Sequence, residues 1–210
     1  MRTVSALAFI EKCVSFVTRP KRLVALAVLL SWSALLNASD LSRSHILVAT
    51  PALRDNIYGS TVLVVKAIGG DQHVGFIVNR PAAVTLARMF PQHGPSQRIT
   101  NPVYFGGPVG ADAIFALVRR PDSPPGRSVE LLPGLYLVAD GPGVDRVIES
   151  EADHARFVAG LVVWRAGELA QEIKAGAWYV LEAQADVAMQ SHEGLWEELV
   201  QRSRMVRTAL

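Results

Sequence analysis

The run Thr61–Ile68 (TVLVVKAI) is β-branched and nearly continuously apolar, as expected of a strand buried on both faces. His73–Asn79 (HVGFIVN) reads as a second strand, and Gly69-Gly70-Asp71 between them is a turn signal, so the pair predicts a hairpin. Upstream, Ser44–Ala49 is a short β-rich run stopped by Pro51, followed by the polar, turn-rich stretch 52–60. Downstream, the pattern predicts a short helix over Ala82–Phe90, with Leu86 and Phe90 at i, i+4, then loop over 91–102. Strands follow at Val103–Phe105 and Ala113–Arg119 on either side of Gly106-Gly107-Pro108-Val109-Gly110. Residues 120–130 read as a Pro-rich loop. Then come a strand at Leu135–Ala139, a helical turn at Val144–Glu149, and an apolar strand at Phe157–Trp164. The last elements are a helix over Gly167–Lys174, a strand at Trp178–Leu181 and an amphipathic helix over Leu195–Met205.

Strands and short helices alternate irregularly, without the steady βαβ rhythm of a doubly wound sheet. Several strand pairs are joined by turns too short for parallel crossovers, so the sheet should be mixed or mainly antiparallel. The expected class is α/β of the α+β type in a single compact domain, residues 40–210.

Residues 1–39 differ from the rest. They hold five basic residues against Glu11, leaving 16 basic and 18 acidic residues from Asp40 onward. Lys21-Arg22 precede an apolar run, Leu23–Leu36, and small or polar residues follow it at Asn37-Ala38-Ser39. This is the layout of a secretory signal peptide or membrane-targeting segment, with cleavage after Ala38. The run is short for a bilayer span, which takes about 20 apolar residues. The expected location is therefore the periplasm, or the inner membrane if the segment stays uncleaved, in which case 23–36 make the membrane contact. If the segment is not a signal, the location is the cytoplasm.

The body carries a net charge of about −2, so it lacks the basic footprint that makes nucleic acid a partner. The lone cysteine, Cys13, excludes a disulfide framework and a Cys-based zinc site. The five histidines include no i, i+4 pair, and no metal site or cofactor is expected. There is no G-x-S-x-G elbow, no P-loop and no G-x-G-x-x-G fingerprint.

Some residues remain as candidates. Ser60 or Thr61 with His73 and Asp55 could compose a hydrolytic triad, although His73 beside Asp71 reads more simply as a turn residue facing solvent. Gly106-Gly107 reads either as a tight inter-strand turn or as a backbone cradle for an anion. Glu168 and Glu172, at i, i+4, read as an exposed helix face or as paired carboxylates. Glu149, Glu151, Asp153 and His154 read as a solvated acidic cluster. Trp164, Trp178 and Trp196 read as core anchors whose indole N–H groups need partners. Arg80, beside an apolar strand, either pairs with Asp55 or presents its guanidinium to an anionic ligand, and Asn79 closes the strand before it.

Four segments together resemble one family. They are Ala49-Thr50-Pro51 with Asp55, Tyr58 and Thr61-Val62; Gly75-Phe76-Ile77-Val78-Asn79-Arg80-Pro81; Phe105-Gly106-Gly107-Pro108-Val109; and Gly160, Trp164, Gly167, Leu169 and Glu172 with Trp178. In this order and spacing, from about His45 to Glu182, they are similar to the YqgE/AlgH family of small bacterial proteins. The resemblance implies a curved, partly barrel-like sheet ringed by short helices. It implies no assigned activity and no catalytic residues, and a transcriptional-regulator role has been proposed for some members. The chain departs from the family at Leu161-Val162-Val163, in place of Tyr-Ala-Gly, and at Glu168-Leu169-Ala170, in place of Gln-Leu-Glu. The function expected is a non-catalytic module that binds a small ligand or a protein partner, with a regulatory role. Its ligand-binding candidates are Arg80, Asp55, Asn79, Gly106 and Gly107. The alternatives are the hydrolase and, less well supported, a DNA-binding regulator.

Overall fold

The structure is a computed structural model that describes residues 40–190 and 192–208, with side chains through residue 205. The signal-like segment 1–39 lies outside the described residues. Among the described residues no helix is long and apolar enough to cross a membrane.

Among the described residues ten strands form the scaffold: β1 (His45–Ala49), β2 (Val62–Gly69), β3 (Gln72–Ile77), β4 (Pro81–Thr85), β5 (Pro102–Phe105), β6 (Val109–Arg119), β7 (Ser128–Leu132), β8 (Leu135–Val138), β9 (Ala155–Trp164) and β10 (Trp178–Glu182). The sheet runs β10-β1-β2-β3-β9-β6-β8-β7, antiparallel throughout, and β7 returns alongside β2 to curl it into a partial barrel. A β4–β5 ribbon joins through a parallel β5–β9 pairing. The helices are α1 (Leu86–Met89), α2 (Gly141–Ser150), α3 (Glu168–Lys174), α4 (Ala185–Met189) and α5 (Leu195–Thr208). The expected α+β class with a curved, mainly antiparallel sheet is what the chain adopts.

The near-continuous apolar runs have a direct cause. Alternate residues of β1 and of the first half of β2 enter two different cores, so from Ile46 to Ala49 and from Val62 to Val65 neither face meets water. Ile46, Val48, Val62 and Val64 face the interior of the curl with Phe76, Phe115, Leu195 and Leu199. Leu47, Ala49, Leu63 and Val65 face outward under α3, against Trp164, Leu169 and Trp178. A third cluster lies under α2, where Val144, Val147 and Ile148 cover Val118 and Phe157.

Several local expectations change. Residues 82–90 do not form one helix: Pro81–Thr85 pairs with β5, and only Leu86–Met89 turns helically, its first turn capped by the Thr85 hydroxyl. Pro81 and the β-branched pair Val84-Thr85 favour extended backbone there. The end of the Pro-rich stretch is strand β7, which places Leu131 and Leu132 in the interior. Helix α4 is unanticipated, because its five residues carry almost no periodic signal. His73 is not a solvent-facing turn residue; it is 2% exposed, opposite Ala67 and Trp164, with Nε2 2.9 Å from the Leu41 carbonyl.

A loop held on three sides beside an open depression

Between β1 and β2 the chain makes an eleven-residue excursion, Thr50–Ser60, whose backbone is bonded internally and to its surroundings. The Asp55 side chain organises it: Oδ1 accepts the Ile57 and Tyr58 N–H groups at 2.7 and 2.8 Å. The Gly59 N–H donates to the Asp55 carbonyl at 2.9 Å, and a Cβ on Gly59 would lie 2.6 Å from that same oxygen. The turn therefore closes only around glycine.

Asn79 and Arg80, in the short link between β3 and β4, hold this loop. Asn79 Oδ1 accepts the Val62 N–H at 2.8 Å and its Nδ2 donates to the Ser60 carbonyl at 2.9 Å. Arg80 donates to the carbonyls of Asn56 (3.1 Å) and Gly59 (2.7 Å). Arg80 and Asp55 meet at the loop, as their positions in the sequence suggested, but not as the expected ion pair. The guanidinium is spent on backbone carbonyls and one carboxylate oxygen, Oδ1, on backbone N–H groups.

A second hold comes from the start of β10 and the two residues before it. The Thr50 N–H donates to the Ala177 carbonyl (2.9 Å) and the Thr50 hydroxyl to the Gly176 carbonyl (2.7 Å). Tyr58 packs edge-on against Trp178, which packs edge-on against Trp164, with ring centroids 6.3 and 6.5 Å apart. Beneath these rings Glu172 Oε2 accepts the indole N–H of Trp164 at 2.9 Å and of Trp178 at 2.7 Å. Glu172 is thus neither an exposed residue nor half of an acid–base pair with Glu168, whose own Oε2 accepts the Arg165 N–H. Burial, then the negative charges of Glu172 and Asp55, push the Tyr58 hydroxyl above its ordinary pKa.

The third hold is Trp196 of α5, whose indole donates to the Ala49 carbonyl at 2.7 Å. Between Trp196 and the loop lies an open depression of about 370 Å3, rimmed by Arg54, Asp55, Asn56 and Ser60 over Pro51 and Leu53. Ser60 holds φ at +57°, a left-handed conformation uncommon for a residue other than glycine. A second depression, of about 410 Å3, includes Arg119, Arg120 and His154. Its arginines are neutralised by acids: Arg119 pairs with Asp186, and Arg120 with Glu151 at 2.7 Å and Asp122 at 3.3 Å.

The hydrolytic triad does not assemble. Ser60 precedes β2, whereas His73 lies opposite Ala67 near the far end of that strand, roughly 20 Å away at strand spacing. Thr61 is fully buried, with its hydroxyl on the Tyr58 carbonyl.

Gly106-Gly107 is an inter-strand device. The Gly106 N–H donates to Ala159 and its carbonyl accepts from Ile77, so it sits in the fork between β3 and β9. Added Cβ atoms would lie 2.3 Å from Gly160 O and from Leu161 C, which leaves no space for an anion between loop and strand. Of the acidic cluster, Glu151 is taken by Arg120, and no group of residues suited to a metal ion exists among the described residues.

Two residues of consequence had weak signals. Glu172 stands out in sequence as the i, i+4 partner of Glu168 and as a residue of the family pattern, but neither signal points to the two indoles it binds. Arg156 is 5% exposed in a strand otherwise apolar. It donates to the carbonyls of Val78, Ala188, Met189 and Gln190 and lies 4.2 Å over the Tyr104 ring, tying the end of α4 to the sheet. Burial pushes its guanidinium below its ordinary pKa, with Tyr104 acting in the opposite sense. In sequence Arg156 stands just before the strand expected at Phe157–Trp164, where a basic residue reads as a solvated end.

Residues 46–206 match the family model described as AlgH-like, DUF179. A UPF0301 protein of Thermobifida fusca is 33% identical over 169 residues, covering 75% of this chain and 84% of the relative. A UPF0301 protein of Chlorobium phaeobacteroides is 29% identical over 164 residues, covering 76% and 86%. Among solved structures, the AlgH protein from Pseudomonas aeruginosa superposes with a TM-score of 0.64 at 22% identity, over 83% of this chain and 92% of that one. Protein DIP2367 from Corynebacterium diphtheriae gives 0.62 at 22% identity, over 77% and 86%. The family match extends over the sheet, the loop and most of the C-terminal helix, and the chain belongs to the AlgH-like family.

Proposed function

We propose that the chain is a non-catalytic binding module whose binding face is the depression between the Thr50–Ser60 loop and Trp196. One observation carries this reading. The loop's backbone is committed to the scaffold, yet the side chains of Arg54, Asn56 and Ser60 are exposed and make no hydrogen bond or ion pair among the described residues. A surface already rigid when the ligand arrives pays little ordering entropy on binding. The separation of Ser60 from His73 argues against the hydrolase. The acidic balance of the body argues against DNA, so a regulatory role would act through the ligand or partner held here.

The test is a small-molecule screen followed by amide chemical shifts. Shifts should gather on residues 50–60 and on the Trp196 indole. Binding that maps to another surface, or turnover of generic esters or phosphoesters, would count against the reading.

A further inference from the structure

The chemistry of the rim restricts what can sit in the depression. Its charged side chains are one cation, Arg54, and one anion, Asp55. A free anion there meets the Asp55 carboxylate, and a free cation meets the Arg54 guanidinium. Either arrangement sets like charges side by side in a shallow site.

The uncommitted groups are mixed in sense. Arg54 offers only donors, the second Asp55 oxygen only an acceptor, and the Asn56 amide and Ser60 hydroxyl offer both. Hydroxyl groups, each donor and acceptor at once, fit such a rim. Trp196 adds a partly exposed aromatic ring whose N–H is already spent on Ala49, so toward the depression it contributes apolar surface. The volume of about 370 Å3 falls at the small end of ligand sites, which suits one ring rather than a dinucleotide or a long acyl chain.

We infer that the depression binds a neutral polyhydroxylated ring, a single sugar unit, with its C–H face toward Trp196 and its hydroxyls on Arg54, Asp55, Asn56 and Ser60. This rests on the depression being the binding face.

The experiment titrates the full chain with D-glucose, D-galactose and N-acetyl-D-glucosamine, and separately with inorganic phosphate and glycine. Amide shifts and the Trp196 indole resonance are the readout. At least one sugar should give saturable shifts on Arg54–Ser60 and Trp196 at millimolar concentration. Asn56→Ala, which leaves the backbone carbonyl bonded to Arg80, should weaken binding about fivefold or more. Ser60→Gly, compatible with the positive φ, should do likewise, and the remote, exposed Arg98→Ala should change nothing. Saturation at these residues by phosphate or glycine but by no sugar overturns the ligand class and leaves the binding face standing. Silence of all three sugars at ~100 mM, far above a millimolar Kd, overturns the ligand class as well. Shifts confined to another surface overturn both.

Discussion

One oxygen of Glu172 accepts the indole N–H groups of both Trp164 and Trp178, at 2.9 and 2.7 Å. The two tryptophans come from β9 and β10, strands that are not neighbours in the sheet, and Glu172 comes from the helix that covers them. The carboxylate thus joins three elements beneath the ring that supports Tyr58 and the binding loop.

Removing that acceptor leaves two largely buried N–H donors without a partner. Glu172→Ala is expected to cost about 2–4 kcal/mol in denaturant unfolding, and Glu172→Gln, which keeps a carbonyl oxygen, about half as much. Tryptophan emission should shift to longer wavelength in the alanine variant. Equal, small losses for both variants would show that the bonds carry no stability.

Tyr58 supplies a pH dependence with a defined sign. Its folded-state pKa lies above the ordinary value of 10.0, so the neutral phenol is favoured in the native state. Stability from this group is fully present below pH 10 and is lost as the pH rises above that value toward the folded-state pKa, because the unfolded chain deprotonates first. Tyr58→Phe should flatten that alkaline decline in a series of melts. An unchanged decline would assign it to other groups, Tyr136 among them.

The loop contacts predict an asymmetry between Asp55 and Arg80. Asp55→Asn keeps the Oδ1 acceptor and should cost less than about 0.5 kcal/mol. Arg80→Ala removes two charge-assisted bonds to carbonyls and should cost about 1–2 kcal/mol. Equal losses in the two variants would mean that the Asp55 charge, not its hydrogen-bonding geometry, holds the loop.

We propose that residues 1–39 are an export segment outside the folded domain. The first described contacts of the body are tight: the Asp40 carbonyl meets His45 Nε2, and the Leu41 carbonyl meets buried His73, each at 2.9 Å. A chain beginning at Asp40 should be soluble and melt cooperatively, and an export-dependent reporter fused at Leu210 should be active. Aggregation of the shortened chain, with a silent reporter in the full one, would place the segment inside the fold.

Much of this architecture was legible in the pattern. Strands β1, β2, β3 and β9 announce themselves because burial on both faces along most of their length demands nearly unbroken apolar runs, as in Thr61–Ile68, and β5, β6, β8 and β10 through shorter apolar runs. Strand β4 was misread because Leu86 and Phe90 mimic a helical face while Pro81 and Thr85 set the backbone extended. The loop residues Asp55, Asn79 and Arg80 were found, since polar residues at strand ends stand out. Their true partners were not, because a carbonyl carries no mark in sequence. Arg80 looked like half of an ion pair for that reason. His73 was misplaced because a histidine after Gly-Gly-Asp looks solvated, whereas in the sheet it lies buried opposite Ala67 and Trp164 with Nε2 on the Leu41 carbonyl.

A preformed binding face requires a loop that is already rigid before anything binds. Amide hydrogen exchange in the free protein tests this most directly. The Ile57, Tyr58 and Gly59 amides donate to Asp55 within an exposed segment, so each should exchange at least about a hundredfold more slowly than an open loop amide, as a locally closed unit does. Exchange of these three amides at the rate of unstructured chain would show that the loop opens freely, and would contradict a preformed site.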